Sequence, residues 1–121
     1  MSAQVCSCQA GRMVATVQCW GEGPSAEVMA QASETLALLA SPARLQIVWF
    51  IGDDEADVTS LTQALGLAGP AVSQHLTKLR LAGVVASRQE GRRRVYRVAD
   101  PQVVELTRKV VGIHGYLPSA R

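Results

Sequence analysis

The sequence predicts a mainly α-helical domain with one small β-hairpin, an α+β fold in the order α-α-α-α-β-β-α. Three features predict it. Apolar residues recur at helical spacing from Val28 to Leu79 and again from Val103 to Ile113. The period falls to two between Val84 and Val98. Serine, proline and glycine stand where helices would begin and end.

The elements follow in order. Ser25 is placed to cap a first helix, with Glu27 favourable to its dipole and Val28, Ala32, Leu36 and Leu39 on one face. Ser41-Pro42 restarts the chain as N-cap and first helical residue of a second helix. Leu45, Val48 and Trp49 give it an apolar face, Gly52 ends it, and Asp53-Asp54-Glu55 reads as a charged loop. Thr59 is placed to cap a short third helix carrying Leu61 and Leu65, and Gly66 stops it. Gly69-Pro70 opens a fourth helix, with Gly69 as N-cap, because the residue before proline avoids the α region. Val72, Leu76 and Leu79 face inward and Gly83 closes it. Residues 84–88 and 93–98 form two strands around a turn at 89–92 that contains Gly91. Pro101 begins the last helix, with Val103, Leu106, Val110 and Ile113 along one side.

A chain of 121 residues fits one domain: an arm at 1–24, a body at 25–115 and a tail at 116–121. Aromatic residues are scarce, so the core is aliphatic. The net charge is +2, but it is unevenly spread. From Glu22 to Asp57 there are seven acids and one base, Arg44; from Lys78 to Arg97 there are seven bases and one acid, Glu90. The basic stretch is a candidate footprint for a polyanion. No apolar run nears the ~18 residues of a membrane span, and the first twenty residues lack the apolar core of a secretory signal. Cys6, Cys8 and Cys19 are odd in number and lie outside the periodic region, which points to a reducing cytoplasm rather than a disulfide framework.

Two helices joined by a three- or four-residue turn form a helix-turn-helix, whose second helix enters the major groove of DNA. Here that helix presents Ser73, Gln74, Thr77 and Lys78 opposite its apolar face. Gln can contact adenine through two hydrogen bonds, Ser can bond a base or phosphate, and Lys can reach phosphate or guanine. Arg92, Arg93 and Arg94 cluster near the hairpin tip, where a phosphate backbone would run. His75 has two readings, a phosphate contact or a half-buried filler. Taken singly, a polar helix face or a run of arginines is ordinary solvated surface; their order and spacing favour double-stranded DNA as partner.

Residues 34–113 resemble the ArsR/SmtB family of winged-helix repressors. Leu38-Leu39-Ala40-Ser41-Pro42-Ala43-Arg44-Leu45-Gln46-Ile47-Val48 is similar to that family's second-helix signature. Gly66-Leu67-Ala68-Gly69-Pro70-Ala71-Val72-Ser73-Gln74-His75-Leu76 is similar to its recognition-helix signature, and Gly91-Arg92 with Val95-Tyr96-Arg97-Val98 to its wing. The resemblance implies a homodimer joined by the first and last helices, with Val103, Leu106, Val110 and Ile113 in the interface. It also implies repression relieved by a bound signal, for which a transition metal or metalloid is a candidate effector.

The family's metal ligands are incomplete here. Asp57-Val58-Thr59-Ser60 carries no cysteine where one sensor type has a pair. Asp100 fits a second type, but Gln102 replaces an expected His, Ile113 and Tyr116 occupy the later positions, and His114 is one residue out of register. Cys6, Cys8 and Cys19 could offer thiolates to Zn(II), Cu(I) or As(III), or be incidental. No metal ligand set and no cofactor is therefore assigned. A winged-helix module for protein–protein contact and a signal-independent regulator are the alternatives. No Ser-His-Asp or Cys-His arrangement and no phosphate-binding glycine loop points to an enzyme.

Overall fold

A computed structural model describes residues 23–116, so Cys6, Cys8, Cys19 and most of the predicted arm and tail lie outside the described residues. The chain divides into two units, 1–38 and 39–121. In the first, helix α1 (Ala26–Leu39) starts where expected: Ser25 Oγ accepts from the Val28 amide at 3.1 Å. Its apolar stripe is largely open. Val28 is 51% and Leu36 53% exposed, and Ala32 is exposed as well.

The second unit contains the other helices and a three-stranded antiparallel sheet. Helix α2 (Pro42–Ile51) is capped by Ser41, whose Oγ accepts from the Arg44 amide at 3.4 Å, with Pro42 in the first turn. Its buried residues are Ile47, Val48 and Ile51. Of the apolar face Leu45, Val48 and Trp49, only Val48 is fully buried; Leu45 and Trp49 are half-buried. The run Ile47-Val48-Trp49-Phe50-Ile51 is apolar on every side. Its sequence therefore gives no phase, and packing against the other elements chooses the inner face.

Asp53 and Asp54 lie in the expected loop after α2, but Glu55 already opens a strand that was not predicted, β1 (Glu55–Asp57). Acidic residues rarely form strands, but pairing with a neighbour overrides that preference. Helix α3 (Val58–Leu65) is capped by Asp57 rather than Thr59: Asp57 Oδ1 accepts from the Ser60 amide at 2.8 Å. Gly66 ends α3 with φ 70° and donates to the Thr62 carbonyl at 2.9 Å. Helix α4 (Gly69–Leu81) begins one residue early, with Ala68 as N-cap and no side-chain cap bond. Gly69 is helical, and Pro70 remains in the first turn, where its missing N–H costs nothing.

Strands β2 (Val85–Glu90) and β3 (Arg93–Val98) pair with Glu90 opposite Arg93, so the loop is Gly91-Arg92 alone and tighter than predicted. Gly91 has φ 64° at the first loop position, which suits a two-residue hairpin turn. The sheet order is β1-β3-β2, with Ala56 opposite Tyr96. Helix α5 (Pro101–Ile113) is capped by Asp100, whose Oδ1 accepts from the Gln102 amide at 2.9 Å. The core joins Ile47, Val48, Ile51, Leu61, Val72, Leu76, Leu79, Val84, Val85, Val95 and Val104.

Candidate nucleic-acid interface

Helices α3 and α4 are joined by residues 66–68, the tight turn of a helix-turn-helix. Val72, Leu76 and Leu79 are fully buried and fix the rotation of α4 about its axis. The opposite face therefore presents Ser73, Gln74, Thr77 and Lys78, all exposed. Thr77 Oγ1 donates to the Ser73 carbonyl at 2.9 Å, which leaves its lone pairs and methyl group for a ligand. Arg80, exposed one turn beyond, extends the basic surface and was not singled out from sequence. Its position in a helix read chiefly for its apolar stripe was the available signal.

His75 lies on the flank of α4, half-buried, with Nδ1 3.3 Å from Arg44 Nη1 of α2. Burial lowers its pKa first, and the positive charges of Arg44 and Lys78 lower it further. Arg44 also escaped the sequence reading as a functional residue, because its partner lies on another helix.

The three hairpin arginines have different surroundings. Arg93 donates to Asp57 Oδ2 at 2.7 Å and to Glu90 Oε1 at 3.1 Å. Arg94 donates to Ser87 Oγ at 3.0 Å. Arg92, in the turn itself, forms no ion pair among the described residues. Arg88 pairs with Glu55 and, at 3.5 Å, with Glu90. Glu55, Arg88, Glu90, Arg93 and Asp57 thus form a chain of alternating charge from β1 through the hairpin to the start of α3.

Asp57 closes that chain. One oxygen caps α3 and the other holds Arg93. Its pKa falls to about 2, first through the Ser60 hydrogen bonds and then through Arg93. A depressed carboxylate pKa stabilises the fold above its unfolded value, 3.8, and that contribution is lost as pH falls through about 2. Asp57→Asn retains a capping oxygen but cannot titrate. Between pH 5 and 2 the wild-type melting temperature should therefore drop further than that of Asp57→Asn. Parallel curves would remove Asp57 from the acid transition.

The stripe on α5 is only partly covered. Val103, Leu106 and Val110 are half-buried and Ile113 is 75% exposed, whereas Val104 and Thr107 turn into the core. Beside it, Pro42, Leu45, Gln46, Trp49, Val111 and Tyr116 line an apolar groove of about 390 Å³. Tyr116, assigned by sequence to the tail, meets Trp49 edge to face with centroids 5.5 Å apart.

The described residues do not fit a metal centre: no three His, Cys, Asp or Glu side chains among them are grouped to hold an ion. Asp57 and Asp100, the acids nearest the family's ligand positions, are engaged as helix caps. No helix among the described residues is long and apolar enough to cross a membrane.

A helix-turn-helix followed by a basic hairpin is the architecture of a winged helix-turn-helix DNA-binding protein. The profile of the family described as "Bacterial regulatory protein, arsR family" matches residues 41–87. The HTH-type transcriptional repressor SmtB of Mycobacterium tuberculosis is 37% identical over 76% of this chain and 68% of its own length. The transcriptional regulator KmtR of the same organism is 38% identical over 60% of this chain, a match that spans 56% of the relative. Among solved structures, the homodimeric winged helix-turn-helix DNA-binding domain of a possible ArsR-family regulator from Mycobacterium bovis is 30% identical. It covers 77% of this chain and 89% of its own, with a TM-score of 0.66. The chain belongs to the arsR family of bacterial regulatory proteins, and it is a DNA-binding transcriptional regulator.

Proposed function

We propose that the protein is a homodimeric repressor that reads its operator with α4 and grips the adjacent backbone with its hairpin. The observation that carries this reading is the division of α4 between a fully buried face and an exposed Ser73, Gln74, Thr77 and Lys78 face. Gln74 and Ser73 read bases, while Lys78 and Arg92 bind phosphates. Val103, Leu106, Val110 and Ile113 form the dimer contact. A regulator of this kind works beside the chromosome, in the cytoplasm.

The salt dependence of binding to random-sequence duplex tests the reading, because each phosphate contact releases counterions. Arg92→Ala should weaken binding to all sequences and flatten the plot of log affinity against log salt by about one unit. Arg93→Ala should flatten it much less, because Arg93 is already neutralised by Asp57 and Glu90. An unchanged slope for Arg92→Ala would take the hairpin off the DNA.

No effector site is assigned; if Cys6, Cys8 and Cys19 supply thiolates to a thiophilic metal or metalloid rather than being incidental, removing them should abolish the response. A chain lacking residues 1–22 should bind DNA normally and no longer be released by As(III), Cu(I) or Zn(II), as read by fluorescence anisotropy of labelled duplex. Release of the shortened chain by any of these ions would place the site in the body.

A further inference from the structure

We infer that Arg44 is a positioning residue for DNA binding: by donating to Nδ1 of His75 it holds that ring in the Nε2–H tautomer, which donates to a phosphate of the DNA backbone. The inference rests on α4 being the helix that lies on DNA. The two side chains come from different helices, and Nη1 of Arg44 is 3.3 Å from Nδ1 of His75. A guanidinium has donors and no acceptor, so the nitrogen facing it must carry the lone pair. The ring proton then resides on Nε2. That nitrogen makes no hydrogen bond within the described residues and is not among their buried unsatisfied atoms, so it is open to solvent.

The surroundings disfavour the charged ring. Burial lowers the His75 pKa first, and the positive charges of Arg44 from α2 and Lys78 from α4 lower it further. A second ring proton would turn the lone pair facing Arg44 into a donor and break the bond. His75 sits between exposed Gln74 and buried Leu76, at the edge of the outward face rather than its centre. At that edge the acceptor is backbone phosphate rather than a base. An uncharged donor there adds affinity for any sequence and displaces no counterion, which separates it from Lys78 and Arg92.

The test combines spectra and binding. Full-length protein carrying ¹⁵N-histidine is titrated by NMR from pH 5 to 8, and the His75 signals are distinguished from those of His114 by their absence in His75→Gln. The wild-type ring should be the Nε2–H tautomer at pH 7. In Arg44→Met it should become a tautomer mixture and protonate at a higher pH. Affinities are measured on a duplex selected by the wild-type chain from a random pool and on unselected duplex. His75→Leu and Arg44→Met should each weaken binding to both about fivefold to tenfold, with an unchanged salt slope. The double variant should bind no worse than the weaker single one. His75→Gln, whose amide reaches the Nε2 position, should keep most of the affinity. An Nδ1–H or charged ring in the wild type at pH 7 would overturn the inference without any DNA, whatever the variants' folding. Wild-type-like binding by His75→Leu would overturn it too, leaving the DNA-binding reading intact. Wild-type protein with no salt-dependent DNA binding would overturn both.

Discussion

Replacing Ile113 with glutamate is expected to convert the dimer to monomers and to lower operator affinity by about two to four orders of magnitude. Helix-turn-helix dimers occupy two half-sites about one DNA turn apart, so the second recognition helix binds at high effective concentration once the first is placed. A monomer loses that gain entirely. Ile113 is the sharper probe than Leu106, because it is 75% exposed in the single chain while Leu106 is half-buried. A charge at 113 therefore leaves the fold of one chain undisturbed but would be desolvated in an apolar interface. Light scattering after size exclusion gives the mass, and fluorescence anisotropy gives the affinity. A variant that stays dimeric at micromolar concentration would move the interface off the α5 stripe.

Gln74→Ala should produce the largest loss of sequence discrimination. A side-chain amide held against adenine makes two hydrogen bonds, and each such pair discriminates by about 1–3 kcal/mol. Binding to a duplex selected by the wild-type chain should fall about tenfold to a hundredfold, while binding to unselected duplex changes little. Repeating the selection with the variant should relax the base preference at one position in each half-site. Equal losses on both duplexes would assign Gln74 to the backbone.

Local chemistry made much of this fold legible. Ser25, Ser41-Pro42, Gly66 and Pro101 act at helix ends as their side chains and backbone preferences dictate. Val72, Leu76 and Leu79 are buried at the spacing that placed Ser73, Gln74, Thr77 and Lys78 outside. What escaped was set by contacts distant in sequence. Strand β1 has three residues, two of them acidic, and exists because Ala56 and its neighbours pair with β3. The run 47–51 is apolar all round, so only packing shows that Ile47, Val48 and Ile51 are buried while Leu45 and Trp49 stay half-buried. Three consecutive arginines look alike in sequence, yet Arg93 finds Asp57 from 36 residues away. The Arg44–His75 contact spans 31 residues. A pair of that kind has no local signature.

The alternating charges between β1 and the hairpin bear on how this regulator finds its site among millions of others. Of the seven cations between Lys78 and Arg97, Arg88 and Arg93 are matched by Glu55, Glu90 and Asp57. A hairpin with every arginine free would cling to any stretch of chromosome, since unspecific affinity grows with each phosphate neutralised. Occupancy in a cell depends on the ratio of cognate to random binding, not on the dissociation constant alone. If the hairpin lies on the DNA backbone as proposed, holding two of its cations internally should shorten the dwell on random DNA and leave the exposed face of α4 to set the dwell on the operator.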